Sequence, residues 1–211
     1  MPKCNPSRRC PGVPVTVTLR RGTTLQRIHK DRYRGNQFNA TAATSPNKGG
    51  RFDHTSPGEA FLYAGSTLAV AVAETILHDV PAQPTPRHVP FKKIEGRIIS
   101  RLRLRRAIKL VSLRIEDLDE LGQDEWLTGC EAADYPFTRK WAAAIRGWVP
   151  TAGGFVWQAR QLKTRLAYVF YWPRANPRDF EVISTRKADE GSGLRSVRRV
   201  LKKHQAVVDR P

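Results

Sequence analysis

The chain has 211 residues, enough to bury one core, and 40% of them are hydrophobic, with five Trp and eight Phe as anchors that disordered chains rarely carry. Lys and Arg number 37 against 19 Asp and Glu, a formal net charge of +18. Such a field draws nucleic acid, an acidic protein or a phosphorylated small molecule without choosing among them. No stretch has the length of a membrane span and no apolar run follows the basic N-terminus, so a soluble cytoplasmic protein with no membrane contact is expected.

Residues 1–14 carry four prolines and read as an irregular basic arm. Cys4, Cys10 and Cys130 show no metal-ligand spacing, so reduced thiols and no metal are expected. The alternation of Val15–Leu19 predicts a strand, followed by a turn over Arg20–Thr24 and then Leu25–His29, which carries Arg27. Residues 33–50 are dominated by Asn, Gly, Thr, Ser and Pro and read as a loop ending in Lys48-Gly49-Gly50. Phe61–Ala64 is a short apolar strand. Ser66 or Thr67 can cap a helix that runs through Asp79 and ends before Pro81. The four prolines of Pro81–Pro90 impose an extended or looped path.

Ile98–Leu113 reads as strand material in which Arg101, Arg103 and Arg105 share one face and Leu102 and Leu104 the other. The arginines suit a solvated sheet face, with a docking surface as the alternative. Asp134–Arg146 has helical spacing, with Phe137, Trp141, Ala144 and Ile145 as an inward stripe. Gly153-Gly154 turns the chain into Phe155–Ala159, and Leu166–Trp172 reads as a buried strand. Beyond Trp172 basic residues outnumber acidic ones two to one. A helix is expected at Leu194–Lys203 with a narrow stripe of Leu194, Val197, Val200 and Leu201, either packed on the domain or extending to a partner or nucleic acid.

The chemistry-bearing residues cluster early. Gly49 and Gly50 permit a tight turn and close approach to a ligand, and they deliver Arg51, whose planar fork suits a phosphate or carboxylate. Glu74 sits in a helix that is apolar nearly all round, where a carboxylate is costly unless it is paired or functional. Tyr63 precedes that helix by a short turn and can line the same cleft. Each of these, like Arg27, has a bland explanation of its own: a surface ion pair for Arg27, a core aromatic for Tyr63, a wet helix edge for Glu74. Together, two arginines, a tyrosine and a sheltered glutamate suit a dinucleotide with a pyrophosphate and a reactive ribose.

Leu25-Gln26-Arg27-Ile28-His29, Phe38-Asn39, Gly49-Gly50-Arg51-Phe52, Leu62-Tyr63-Ala64 and Ala71–Glu74–His78 follow in one order. Asp134-Tyr135, Thr138-Arg139, Trp141-Ala142 and Gly153-Gly154-Phe155 with Arg160 continue it. This series, from Val15 to Trp172, resembles the RES-domain family, the toxin halves of bacterial RES–Xre toxin–antitoxin pairs. The resemblance implies an α+β fold, a single domain with an ADP-ribosyltransferase-like split β-sheet core flanked by helices. It spans 15–172, with the arm 1–14 before it and a basic, helical extension 173–211 after it. It implies NAD⁺ as substrate, cleaved at the nicotinamide–ribose bond with water or inorganic phosphate as acceptor, and no metal. Glu74, Arg27, Arg51 and Tyr63 match the family's catalytic residues, and Arg27, Arg51 and Tyr63 match those that hold the dinucleotide.

An Xre-type antitoxin is the implied protein partner, and nucleic acid is implied only through that antitoxin. A transferase acting on a protein side chain is the alternative enzyme, and a basic nucleic-acid-binding module without catalysis the alternative non-enzyme. One departure stands out: Trp157-Gln158-Ala159 aligns where the family carries its serine after a Tyr-Pro pair, so Ala159 stands in the serine's place. Either the alignment slips locally or that hydroxyl is dispensable.

Overall fold

Arg97–Leu104 shows how the sequence builds the sheet: Arg101 and Arg103 are exposed while Leu102 and Leu104 are buried, as strict alternation requires. The computed structural model describes residues 5–43, 45, 49–56, 58–81 and 83–209. The elements in chain order are β1 (Thr16–Leu19), β2 (Thr24–Lys30), β3 (Phe61–Gly65), α1 (Leu68–Thr75), β4 (Arg87–Val89), β5 (Arg97–Leu104) and β6 (Ile108–Ser112). There follow α2 (Trp126–Gly129), α3 (Tyr135–Trp148), β7 (Gly154–Ala159), β8 (Leu162–Tyr171), β9 (Phe180–Lys187), α4 (Gly191–Lys203) and β10 (Ala206–Val208).

Eight strands form one mixed sheet in the order β1-β6-β7-β8-β3-β2-β5-β9, and β10 pairs with β4 in a second, two-stranded sheet. The main sheet is antiparallel except between β6 and β7. Its central seam matters most. β2 and β3 share the single pair Gln26↔Gly65, whereas β2 pairs with β5 from Thr24 to Lys30 and β3 with β8 from Phe61 to Gly65. The two halves of the sheet part beyond that pair, which is the split expected for this fold class.

Three apolar clusters hold the layers. Trp141 and Ile145 of α3 pack with Phe155, Trp157, Val169 and Tyr171 of β7 and β8. Leu25, Leu62, Leu102 and Phe170 pack with Phe38 and Phe180. Ala71 and Val72 of α1 and Val197 and Leu201 of α4 pack over Ile28 and Ile99.

Several elements differ from the expectations above. α1 is capped by the Thr67 side chain, which accepts from the Val70 amide, but it stops at Thr75 instead of running through Asp79. Arg87 provides the reason: its guanidinium donates to the carbonyls of Leu77, Val80 and Pro81, fixing the chain after the helix in a tight turn. On α3 the buried side is Tyr135, Thr138, Arg139, Trp141, Ala142 and Ile145, while Phe137 and Ala144 are only half-buried. A loop packs on that helix and shelters polar residues that periodicity alone assigns to the outside.

Residues 173–209, set apart by composition, are woven into the domain. β9 lies along β5 from Ile98 to Leu104, and α4 packs on α1. Gly193 shows how close the packing is, since a Cβ there would stand 1.8 Å from the Lys187 carbonyl oxygen. Cys4 and Lys48 lie outside the described residues.

Candidate active site

Where β2 and β3 separate, a cleft of about 640 Å³ opens, and Arg27, Arg51, Tyr63 and Glu74 all line it. Residues far apart in the chain therefore meet at the split in the sheet.

The glycine pair builds one wall. Gly49 has φ +96°, a conformation that side chains rarely adopt, and a Cβ there would stand 2.7 Å from Asp53 Oδ2. The Gly50 amide donates to that same oxygen at 2.7 Å, closing the turn. α3 clamps the loop from outside. Arg139 donates to the carbonyls of Gly50 and Ser45, both at 3.1 Å, and the Thr138 hydroxyl donates to the Arg51 carbonyl at 2.7 Å. Gly49→Ala is expected to cost roughly 1–3 kcal/mol through backbone strain. Urea denaturation of parent and variant measures this directly, and unchanged midpoints would show that the loop tolerates a side chain.

The loop delivers Arg51 almost wholly buried, 4% exposed. Its guanidinium lies 5.4 Å from the Tyr135 ring centre and 5.8 Å from that of Phe52. Its Nε and Nη2 are buried without a hydrogen-bond partner among the described residues. Orphaned charged donors of this kind are costly unless a ligand satisfies them.

Glu74 comes from α1 and faces the same cleft, where its Oε1 accepts from the Arg160 amide at 3.2 Å. Burial pushes its carboxyl above the usual glutamate value, and the nearby Arg51 charge opposes that shift. Arg160 in turn forms an ion pair with Glu131.

The other two anticipated residues are partly committed to the protein itself. Tyr63 accepts from the Phe52 amide at 3.0 Å, and burial together with the adjacent Asp53 drives its hydroxyl far above the usual tyrosine value. It braces the loop as a neutral phenol. Arg27 gives Nη1 to the carbonyls of Gly35 at 2.8 Å and Gln37 at 2.7 Å, tying down the loop after β2, and burial lowers its pKa to about 10. It remains charged at neutral pH.

Further residues belong to the site. His78 lines the cleft and meets the Tyr135 hydroxyl through Nε2. Burial and Arg51 hold its pKa below the usual histidine value, so it is neutral at pH 7. Asp53 and Trp157 also line the cleft. Trp157 is 1% exposed with its indole Nε1 unpartnered among the described residues. The sequence marked His78 and Tyr135 only within the segments that carry the family resemblance and gave no sign of their contact, which spans 57 positions. Ala159 is fully buried in the core beneath α3 and does not line the cleft; its neighbour Trp157 does. Cys130 sits beside Arg51 with its thiol pushed up by burial, a neutral group there.

Among the described residues no cluster of His, Cys, Asp or Glu could hold a metal ion, and no helix is long and apolar enough to cross a membrane.

No curated protein matches the sequence. Among solved structures, the chain is similar to one in the crystal structure of the M. tuberculosis MbcT–MbcA toxin–antitoxin complex. The two are 14% identical with a TM-score of 0.55, over 80% of this chain and 85% of that one. At that identity the likeness concerns the fold, a large mixed sheet flanked by helices. The RES-domain family model matches residues 24–190, from the start of β2 to the residue before α4. That span holds the split in the sheet and every residue of the cleft, and the chain belongs to the RES-domain family.

Proposed function

We propose that this protein is the toxin of a toxin–antitoxin pair and that it cleaves the bond between nicotinamide and ribose in NAD⁺. The observation that carries this reading is the presence in one cleft of Arg51, two of whose buried nitrogens have no partner among the described residues, and the desolvated carboxylate of Glu74. Arg51 offers a site for a pyrophosphate oxygen, and Glu74 offers a negative charge for a developing cation.

In the reaction, the C1′–N bond breaks and its electron pair stays on the nicotinamide nitrogen, so the leaving group becomes neutral and needs little acid help. The positive charge passes to the ribose as an oxocarbenium ion. Glu74, held by the Arg160 amide, stabilises that cation as the carboxylates of glycosidases do. The acceptor oxygen then bonds to C1′ and releases its proton to His78, which is neutral and bonded to Tyr135. Arg27 contributes charge from β2 while it secures the neighbouring loop.

Two further facts support the toxin reading. The structural relative belongs to a toxin–antitoxin complex, and a charge of +18 suits an acidic protein partner. Incubating the purified protein with NAD⁺, with and without inorganic phosphate, and weighing the products tests the chemistry. Free nicotinamide with ADP-ribose, or with its phosphorylated form, is expected. Intact NAD⁺, or label transferred only to protein side chains, would overturn it.

A pH dependence follows. Protonated Glu74 cannot stabilise a cation, and its carboxyl titrates above the usual glutamate value. The acid limb of log kcat/KM is therefore expected to inflect above that value and to fall about tenfold per pH unit below it. In Glu74→Gln the residual rate should lose the part of this limb set by Glu74 and keep only the fall that protonation of His78 imposes below the usual histidine value.

A further inference from the structure

The exposed arginines outside the cleft are not all alike. Arg103 is neutralised by a two-pronged contact with Glu181 on the next strand, both bonds at 3.0 Å. Arg106 is held in the same way by Asp179. Arg101 and Arg186 have no such partner among the described residues. In register, Arg101 stands between Gln26 on β2 and Ser184 on β9, and Arg186, opposite Ile99, is its diagonal neighbour. These residues line a recess of about 190 Å³ in the sheet face. Arg101 and Arg186 both line this recess, so their positive charges add there and favour an anion.

α4 extends that face. Its inner side packs over Ile99 through Val197 and Leu201. Its outer side carries Arg195, Arg198, Arg199 and Lys202, all exposed, at the i, i+3, i+4, i+7 spacing that places them in one row. None of the four is ion-paired among the described residues. The nearby carboxylates Glu181 and Glu190 are already engaged by Arg103 and Lys187.

We propose that the face made by β5, β9 and α4 binds the phosphate backbone of duplex nucleic acid directly, without reading its sequence. The resemblance to RES toxins implies nucleic-acid contact only through an antitoxin; direct contact goes beyond that expectation. The recess offers hydrogen-bond donors, an amide and a hydroxyl, and its only apolar member is the buried Ile99. That chemistry fits phosphate oxygens. The exposed large apolar side chains of the face are Val182 and Ile183 of β9, too few for the apolar centre of a protein interface, and among the described residues the face holds no exposed aromatic platform for single strands to stack on.

The test is fluorescence anisotropy of the full chain with a mixed-sequence duplex of about 20 base pairs, titrated from about 50 to 200 mM salt. Each phosphate neutralised adds about 0.9 to the slope of log Kd against log salt, so six cations set a ceiling of about 5. Arg101→Ala/Arg186→Ala is expected to flatten the slope by about two, and Arg198→Ala/Lys202→Ala by a similar amount. Arg8→Ala/Arg9→Ala removes the same charge from the arm that packs on α3, where the Trp148 indole donates to the Arg8 carbonyl, and should leave the slope unchanged. NAD⁺ consumption should be unchanged in the Arg101/Arg186 variant, so this surface stands or falls separately from the cleft. Absence of binding at the lowest salt would overturn the proposal, as would equal flattening by the arm variant. Poly-glutamate binding as tightly as the duplex, with the same dependence on Arg101 and Arg186, would also overturn it and assign the face to an acidic protein.

Discussion

Replacing Glu74 with glutamine is expected to lower NAD⁺ consumption by at least about 10²–10³-fold, the usual effect of removing one preorganised electrostatic group. The substitution keeps the size of the side chain and an oxygen able to accept from the Arg160 amide, but it removes the charge that faces the ribosyl cation. Loss of activity should come without loss of stability. The Glu74 carboxyl titrates higher in the folded protein than in the unfolded chain, so folding favours its protonated form. Its contribution to stability is therefore present at low pH and is lost as pH rises through the ordinary and then the folded value. At neutral pH the ionised group costs stability, and glutamine relieves that cost. Calorimetry at pH 7 should show Glu74→Gln melting no lower than the parent. A variant that consumes NAD⁺ at the parental rate, or one that melts early, would reduce Glu74 to a structural residue.

Arg51→Lys should be nearly as damaging, with kcat/KM down by about 10²–10³-fold. Both residues carry one positive charge, so a loss of that size would come from geometry. Arginine presents Nε and Nη2 in a rigid plane, and lysine presents a single flexible ammonium group. Those two nitrogens are the ones left unsatisfied, while the guanidinium is supported by the rings of Tyr135 and Phe52. Arg51→Met separates ligand binding from folding. The Arg51 guanidinium makes no close ion pair among the described residues and feels the Glu74 carboxylate only at longer range, so this variant should melt within a few degrees of the parent while consuming no NAD⁺. If Arg51→Met failed to fold, Arg51 would belong to the scaffold. Parental activity in Arg51→Lys would remove the fork from the mechanism.

The arrangement of the site explains why its outline was legible in the sequence and its wiring was not. Gly49-Gly50-Arg51 announces itself because only glycine tolerates φ +96° at Gly49, a requirement local to the chain. Glu74 announces itself because a carboxylate in an apolar helix is conspicuous. The supports are distant: Thr138 reaches back 87 positions to the Arg51 carbonyl, and Arg139 reaches 89 to that of Gly50. Periodicity reads both α3 residues as polar and outward, because nothing within one helical turn reports what will pack against them. Tyr63 shows the converse. The sequence placed it at the cleft to orient a ligand, and the structure commits its hydroxyl to the Phe52 amide.

By itself the sequence determined the elements that depend on neighbours a few residues away. These are the alternation of β5, a cap for α1 at Ser66 or Thr67, the basic helix α4 with its stripe of Leu194, Val197, Val200 and Leu201, and the candidates Arg27, Arg51, Tyr63 and Glu74. Only the tertiary structure decided where the sheet divides, since β2 and β3 part because each holds its other neighbour more fully than it holds the other. It also decided that residues after Trp172, distinct in composition, close the edge of the same sheet through β9. Composition follows what a segment shows to solvent, and β9 and α4 show their arginines; membership of the domain follows from backbone pairing and from the few apolar residues turned inward. The same division separates Arg103, quenched by Glu181, from Arg101 and Arg186, which three identical letters in the sequence could not distinguish.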